Sequence, residues 1–205
     1  MRFLRDHWYD LGLCIVVVIA LALWFGDFSY LACLLWLSFA SLCLHQFEEY
    51  RYPGYFPGMV NKVLYASRQP DRFPLNSNTS LIVNVAIGWS IYCLAALVAE
   101  HALWLAIASI LVSLANIIAH CLLFNLRART LYNPGMLTSL LLFLPIMLLF
   151  FWHVLQAGLA TWSDWLIGIV LGIILNYVGI LKLIDWLKDE KTSYIFAPRQ
   201  MIPYK

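Results

Sequence analysis

Six stretches of mostly apolar residues, each close to the length that crosses a bilayer, dominate this 205-residue chain and restrict it to one class of fold. A spanning helix needs about 20 such residues. The runs lie at roughly 8–25, 28–44, 81–99, 102–124, 135–154 and 165–187. Between them 63% of the chain is apolar and only 12% charged, against about 25% charged in an ordinary soluble domain. That balance excludes a disordered chain, a nucleic-acid-binding domain and a typical soluble enzyme. The net charge of +2 is too small to imply a polyanionic partner. Turns at Gly26-Asp27 and Glu100-His101 make the first two runs, and the third and fourth, antiparallel hairpins. Pro145 inside the fifth predicts a kink. The five cysteines (Cys14, Cys33, Cys43, Cys93, Cys121) all lie in apolar runs without a C-x-x-C pair, which reads as small core residues rather than a disulfide or zinc framework.

The basic residues sort by loop. Arg2 and Arg5 precede the first run. Arg51, Lys62, Arg68 and Arg72 follow the second, and Arg127 and Arg129 follow the fourth. Lys182, Lys188, Lys191, Arg199 and Lys205 cluster at the C-terminal end, which accounts for all 13 Lys and Arg. The opposite turns show only Asp27, Glu100 and Asp164. The positive-inside rule then places both termini in the cytoplasm. No small-x-small cleavage site follows the first run, so it reads as a retained helix rather than a signal peptide. The expected architecture is all-α: a polytopic membrane bundle of six transmembrane helices, residues 1–205 forming a single membrane domain. Residues 45–80, rich in Pro and Gly, are expected to form an interfacial or re-entrant segment on the cytoplasmic side, and 188–205 a cytoplasmic tail.

Against so apolar a background each ionisable residue near a span needs a reason, because one at mid-bilayer costs about 2.5–3.5 kcal/mol on insertion scales. The second run ends in His45-Gln46-Phe47-Glu48-Glu49. If helix continues, His45, Glu48 and Glu49 share a face at i, i+3 and i+4. Asn116 and His120 stand four apart in the fourth run. Chain direction brings the two groups to one depth. Two imidazoles and two carboxylates supply a candidate metal set (His45, Glu48, Glu49, His120) for a divalent ion such as zinc, iron or manganese. The same groups serve equally as an acid–base pair. The simpler readings are a solvated helix end for the first group and an interhelical hydrogen-bond pair for the second. Further polar residues at this level are candidates for substrate contact: Asn84, Arg127, Arg129, Tyr132, Lys182 and Asp185. Lys182 and Asp185 also suit a local ion pair, Arg127 and Arg129 suit interfacial anchors, and Tyr132-Asn133-Pro134-Gly135 reads as the turn that starts the fifth helix. Asn176, deep in the sixth run, is expected to bond a neighbouring helix.

His45-x-x-Glu48-Glu49, Asn116-x-x-x-His120 and Tyr132-Asn133-Pro134-Gly135, in this order, resemble the HXXEE-domain integral membrane proteins, small bacterial membrane proteins. The resemblance implies a bacterial inner-membrane location and motif positions at His45, Glu48, Glu49, Asn116 and His120. It carries no established activity.

These observations lead to the expectation of a membrane-embedded, metal-dependent enzyme, hydrolase-like, with a site open to the cytoplasmic leaflet. His45, Glu48, Glu49 and His120 would be ligands or acid–base groups, and Asn116 would orient His120 or the substrate. Its partners would be the bilayer and a lipid or apolar small molecule, with room for a homo-oligomer and no role for nucleic acid. Two other classes stand beside it: a cation- or proton-coupled transporter, and a non-catalytic accessory protein whose polar cluster only packs helices.

Overall fold

The computed structural model describes residues 2–202, and Lys205 lies outside them. It is all-helical, with no strand among the described residues. We number the helices α1 (Arg2–Phe25), α2 (Tyr30–Tyr50), α3 (Phe56–Met59, running into Val60–Leu64), α4 (Ser77–Leu97), α5 (Leu103–Ala128), α6 (Met136–Gln156) and α7 (Trp162–Leu187). All but α3 are long and apolar enough to cross a membrane, which makes this a polytopic membrane protein. The perimeter is accordingly apolar: Val17, Val18 and Leu21 on α1, Leu141 and Leu148 on α6, and Leu166 and Ile173 on α7 are exposed. A continuous apolar surface of this kind suits lipid rather than water.

Polar caps set the helix starts. Ser29 Oγ accepts from Ala32 N at 3.2 Å at the head of α2, and Asn76 Oδ1 accepts from Asn78 N and Thr79 N at the head of α4. Thr161 and Asp164 form a reciprocal capping box on α7. Each satisfies main-chain donors that a helix start leaves open.

α2 is the central helix: 61% of its span is buried, against 17% for α7. It packs on α1, α4 and α6. α7 instead lies closely along α5. Gly168 and Gly172, four residues apart, face Ile107 and Leu111, and a Cβ at either glycine would come within 2.8 Å of its neighbour. Small residues at this spacing let helix backbones approach in a medium where the hydrophobic effect does not drive them together. Asn176 Nδ2 adds a 3.4 Å bond to the Leu111 carbonyl, the interhelical contact expected from sequence.

Both described ends of the chain, α3 and the 129–135 loop lie at one end of the bundle, here called the terminal face. At that level four spanning helices widen into π-helical turns: Ile82–Trp89, Ala119–Leu123, Ser139–Phe143 and Tyr177–Lys182. Such turns re-aim side chains and often occur at functional sites. Pro145 comes two residues after the end of the third of them, in the first turn of the α-helix that resumes at Leu144.

The segment expected over 45–80 begins later, because α2 continues to Tyr50 and carries His45, Glu48 and Glu49 as helix. Residues 51–76 then fold over the terminal face. Buried Asn61 ties this cover together: its Nδ2 donates to the Pro70 and Leu75 carbonyls and its Oδ1 accepts from Leu75 N, all at 2.8–2.9 Å. The tail packs on the same face. Arg199 donates to the Tyr50 and Arg51 carbonyls at 3.1 and 3.2 Å and to the Tyr9 hydroxyl at 2.6 Å. Gln200 Nε2 also donates to the Tyr50 carbonyl at 3.1 Å, so the tail satisfies carbonyls at the end of α2.

Candidate functional site

Helical spacing puts His45 and Glu49 on one face of α2, and α5 presents His120 to them from its wide turn. Glu49 Oε1 stands 3.5 Å from His45 Nε2 and 3.3 Å from His120 Nε2. The two rings are perpendicular with centroids 4.8 Å apart. The three residues are only 1%, 4% and 1% exposed in chain order. A buried carboxylate is costly unless paired, and the ion-pair partners of Glu49 among the described residues are these two imidazoles.

The opposite ring nitrogens fix the tautomers. His120 Nδ1 donates to Asn133 Oδ1 at 2.7 Å. That oxygen is the acceptor because Asn133 Nδ2 is turned onto the His120 carbonyl at 2.7 Å and Asn125 Oδ1 at 2.8 Å. His45 Nδ1 lies 3.0 Å from Thr138 Oγ1, whose own proton goes to Glu48 Oε2 at 2.6 Å, so here too Nδ1 is the donor. With Nδ1 as the donor, each imidazole in its neutral form turns a bare Nε2 toward Glu49, and His45 Nε2 is buried without a hydrogen-bond partner. Two lone pairs facing a carboxylate oxygen call for a positive charge among them, either a cation or a proton on one ring.

A metal fits. Ligand atoms held tetrahedrally at about 2.0–2.1 Å stand roughly 3.3–3.4 Å apart, and the two Glu49 separations are 3.3 and 3.5 Å. The three ligand atoms all lie within 4.8 Å of one another. A histidine ligand with its other N–H donated to a polar neighbour is the usual supporting arrangement of a metal site. Two imidazoles and one carboxylate suit zinc, iron or manganese.

Glu48 belongs to a different structure. Its Oε1 accepts from the Tyr132 hydroxyl at 2.8 Å and Leu137 N at 3.2 Å, and its Oε2 from Thr138 N at 2.9 Å and the Thr138 hydroxyl. It sits on the N-terminus of α6, where main-chain donors and the helix dipole favour an anion. Burial and the Glu48 carboxylate push the Tyr132 phenol up, which keeps it protonated as the donor. Gly135 completes this junction. It has φ +101°, and a Cβ there would come within 2.8 Å of His45 Cε1 and closer still to the His120 ring. Its main chain thus forms the floor under both imidazoles.

Phe56 from α3 and Phe124 from α5 flank the His120 ring at 5.0 and 5.1 Å, and Phe143 flanks His45 at 4.8 Å. The cluster forms one wall of a cavity of about 330 Å³ between α2, α3, α4, α5 and α7, lined otherwise by apolar side chains, a few amides and the tyrosines Tyr50, Tyr65 and Tyr92. Among its lining residues Tyr65, Leu123 and Leu181 are also exposed on the outer surface, which marks its mouth.

Of the residues singled out from sequence, Asn84 and Asn116 line this cavity. Asn116 does not reach His120; its Nδ2 donates to the Val112 carbonyl at 3.0 Å, and Asn133 holds the ring instead. Arg127, Arg129, Lys182 and Asp185 are not brought to the cavity. Arg127 and Arg129 are exposed, and Asp185 pairs at 2.6 Å with Lys188 and at 3.9 Å with Lys182. Tyr132 meets Glu48. Sequence reasoning missed the roles of Asn133, Gly135 and Thr138; the 132–135 motif was the available signal, and it read as a turn.

Fold and site together define a polytopic helical membrane protein with a buried His–Glu–His cluster beside an apolar cavity. The chain belongs to the HXXEE family, whose model, described as a protein of unknown function with HXXEE motif, matches residues 36–150. No curated protein and no solved structure matches the chain. The matched stretch contains all three cluster residues and the 132–138 junction, while α1 and the α7 wall of the cavity lie outside it.

Proposed function

We propose that this protein is a metal-dependent, hydrolase-like enzyme of the bacterial inner membrane, acting on a lipid or apolar small molecule that enters from the cytoplasmic leaflet. The sorting of every Lys and Arg to one set of loops supports cytoplasmic termini, and with them a terminal face and site near that leaflet. His45, Glu49 and His120 would hold one divalent zinc, iron or manganese ion, a Lewis acid able to activate water and polarise an acyl or phosphoryl oxygen. Three protein ligands leave a position open, as catalytic sites do. The three residues that would hold the ion lie on the cavity wall. The chain's own part is positional: Asn133 and Thr138 fix the imidazoles, Phe56, Phe124 and Phe143 limit water, and Asn116 and Asn84 offer polar contacts to a bound molecule. Glu48 is reserved for building the site, so the ligand set has one carboxylate. This favours hydrolysis over di-iron oxidation, which uses more.

The observation that carries this reading is the convergence of His45 Nε2 and His120 Nε2 on Glu49 Oε1 at a cavity wall, with His45 Nε2 buried without a hydrogen-bond partner. Metal analysis of protein purified from metal-replete cells tests it. About one equivalent per chain is expected, with loss in His45→Ala and His120→Ala. Wild-type protein without metal would overturn it.

A further inference from the structure

Four side-chain amides line the cavity: Gln46, Asn84, Asn116 and Asn176. Each amide nitrogen is turned onto a protein acceptor. Gln46 Nε2 donates to Asn84 Oδ1 at 3.1 Å, and Asn84 Nδ2 donates to the Ser80 carbonyl at 2.9 Å and the Tyr50 hydroxyl at 3.3 Å. Asn116 Nδ2 donates to Val112 O at 3.0 Å, and Asn176 Nδ2 to Gly172 O at 2.9 Å and Leu111 O at 3.4 Å. Two of the four oxygens are also occupied, since Gln46 Oε1 accepts from Trp89 Nε1 at 2.7 Å and Asn84 Oδ1 accepts from Gln46. Asn116 Oδ1 and Asn176 Oδ1 accept no hydrogen bond from the described residues. An unpaired carbonyl oxygen in an apolar, membrane-embedded cavity is costly and calls for a donor. The lining contains no Lys or Arg, and its one acidic side chain is Glu49. An apolar cavity of about 150 Å³ is enough to bind benzene, so about 330 Å³ accommodates a substantial stretch of alkyl chain.

We infer that this cavity takes an uncharged long-chain molecule bearing a hydrogen-bond donor, a hydroxyl or an amide N–H, and, when free of metal, rejects a free carboxylate. The donor meets Asn116, which stands one helical turn from His120, or Asn176, which reaches α5 at Leu111, about two and a half turns from His120. In the metal-free protein a carboxylate would face two acceptor oxygens and the Glu49 carboxylate, with no Lys or Arg in the lining to offset its desolvation. The inference rests on the reading of the cavity as the substrate pocket; the preference for a donor does not depend on metal, and the rejection of carboxylate is a property of the metal-free protein.

Equilibrium binding of radiolabelled dodecanol, dodecane and dodecanoate to nanodisc-embedded full-length protein, corrected against empty nanodiscs and repeated after chelator treatment, tests it. Dodecanol should bind saturably at about one per chain, and tighter than dodecane. Asn116→Leu and Asn176→Leu should leave dodecane unchanged, and at least one of them should weaken dodecanol by about 2- to 10-fold, the worth of one hydrogen bond. Dodecanoate should show no saturable binding to chelator-treated protein. Equal binding of dodecanol and dodecane, saturable binding of dodecanoate after chelation, or dodecanol binding unchanged in both variants would each overturn the inference. The three-ligand comparison on wild type decides the matter even if a variant does not fold. Metal content of the same samples separates failure here from failure of the metal-enzyme reading.

Discussion

Asn133 grips His120 twice: its Oδ1 accepts from the ring Nδ1 and its Nδ2 donates to the main-chain carbonyl of the same residue, both at 2.7 Å. Ring orientation, tautomer and local backbone are thereby fixed by one amide. Asn133→Ala should lower metal affinity by about 10- to 100-fold, the usual effect of removing a ligand's outer partner. Asn133→Asp, which keeps an acceptor for Nδ1, should recover part of it. Titration of metal-stripped protein with zinc measures both.

Thr138 plays the matching part for His45 while donating to Glu48. Thr138→Val keeps the shape and removes the hydroxyl. It should cost about 1–3 kcal/mol of stability through the buried groups it leaves unpaired and weaken metal binding as well. Thr138→Ser should restore both. Thermal unfolding in detergent, with and without added metal, separates the two effects.

Adjacent glutamates should behave oppositely. Glu48→Gln removes the anion at the N-terminus of α6 and replaces an acceptor of four hydrogen bonds, so its unfolding midpoint should fall while its metal content stays near wild type. Glu49→Gln removes a buried charge and a ligand, so metal should be lost with the helical fold retained. Circular dichroism and metal analysis of the two variants give the comparison. The same pattern of metal loss in both would contradict the division of labour.

Gly135→Ala should lose metal and stability together. A Cβ there meets both imidazoles, and the left-handed φ of +101° is itself unfavourable for alanine. Insertion of the same methyl at Gly158, which also has positive φ but has nothing within 4 Å of a built Cβ, controls for the backbone term. Gly158→Ala should retain metal.

Much of this arrangement was legible in the sequence. Apolar runs and short turns set six helices and their directions, and direction alone brought His45 and His120 to one depth. The i, i+4 spacing put His45 and Glu49 on one face. Glu48 is about 100° around the helix from Glu49, but sequence does not say which neighbour each direction meets, so the two carboxylates read as equivalent. Here one direction meets His120 and the other the start of α6. Asn116 looked like the partner of His120 because they are four apart on one helix, yet the bond goes to Asn133 on the following loop, which no periodicity relates to α5. The four π-helical turns left no pattern in the sequence, because they arise from packing at one level of the bundle. Arg127, Arg129, Lys182 and Asp185 share that level, but level does not reveal whether a side chain turns inward.

His45, Glu49 and His120 are proposed to hold one metal ion. X-ray absorption at the edge of the metal found in the purified protein tests it most directly. The expected spectrum shows scattering from two imidazoles together with oxygen, unchanged in Glu48→Gln and stripped of one imidazole shell in His120→Ala. A protein that carries no metal after growth in metal-replete medium, or a spectrum without imidazole scattering, would contradict it.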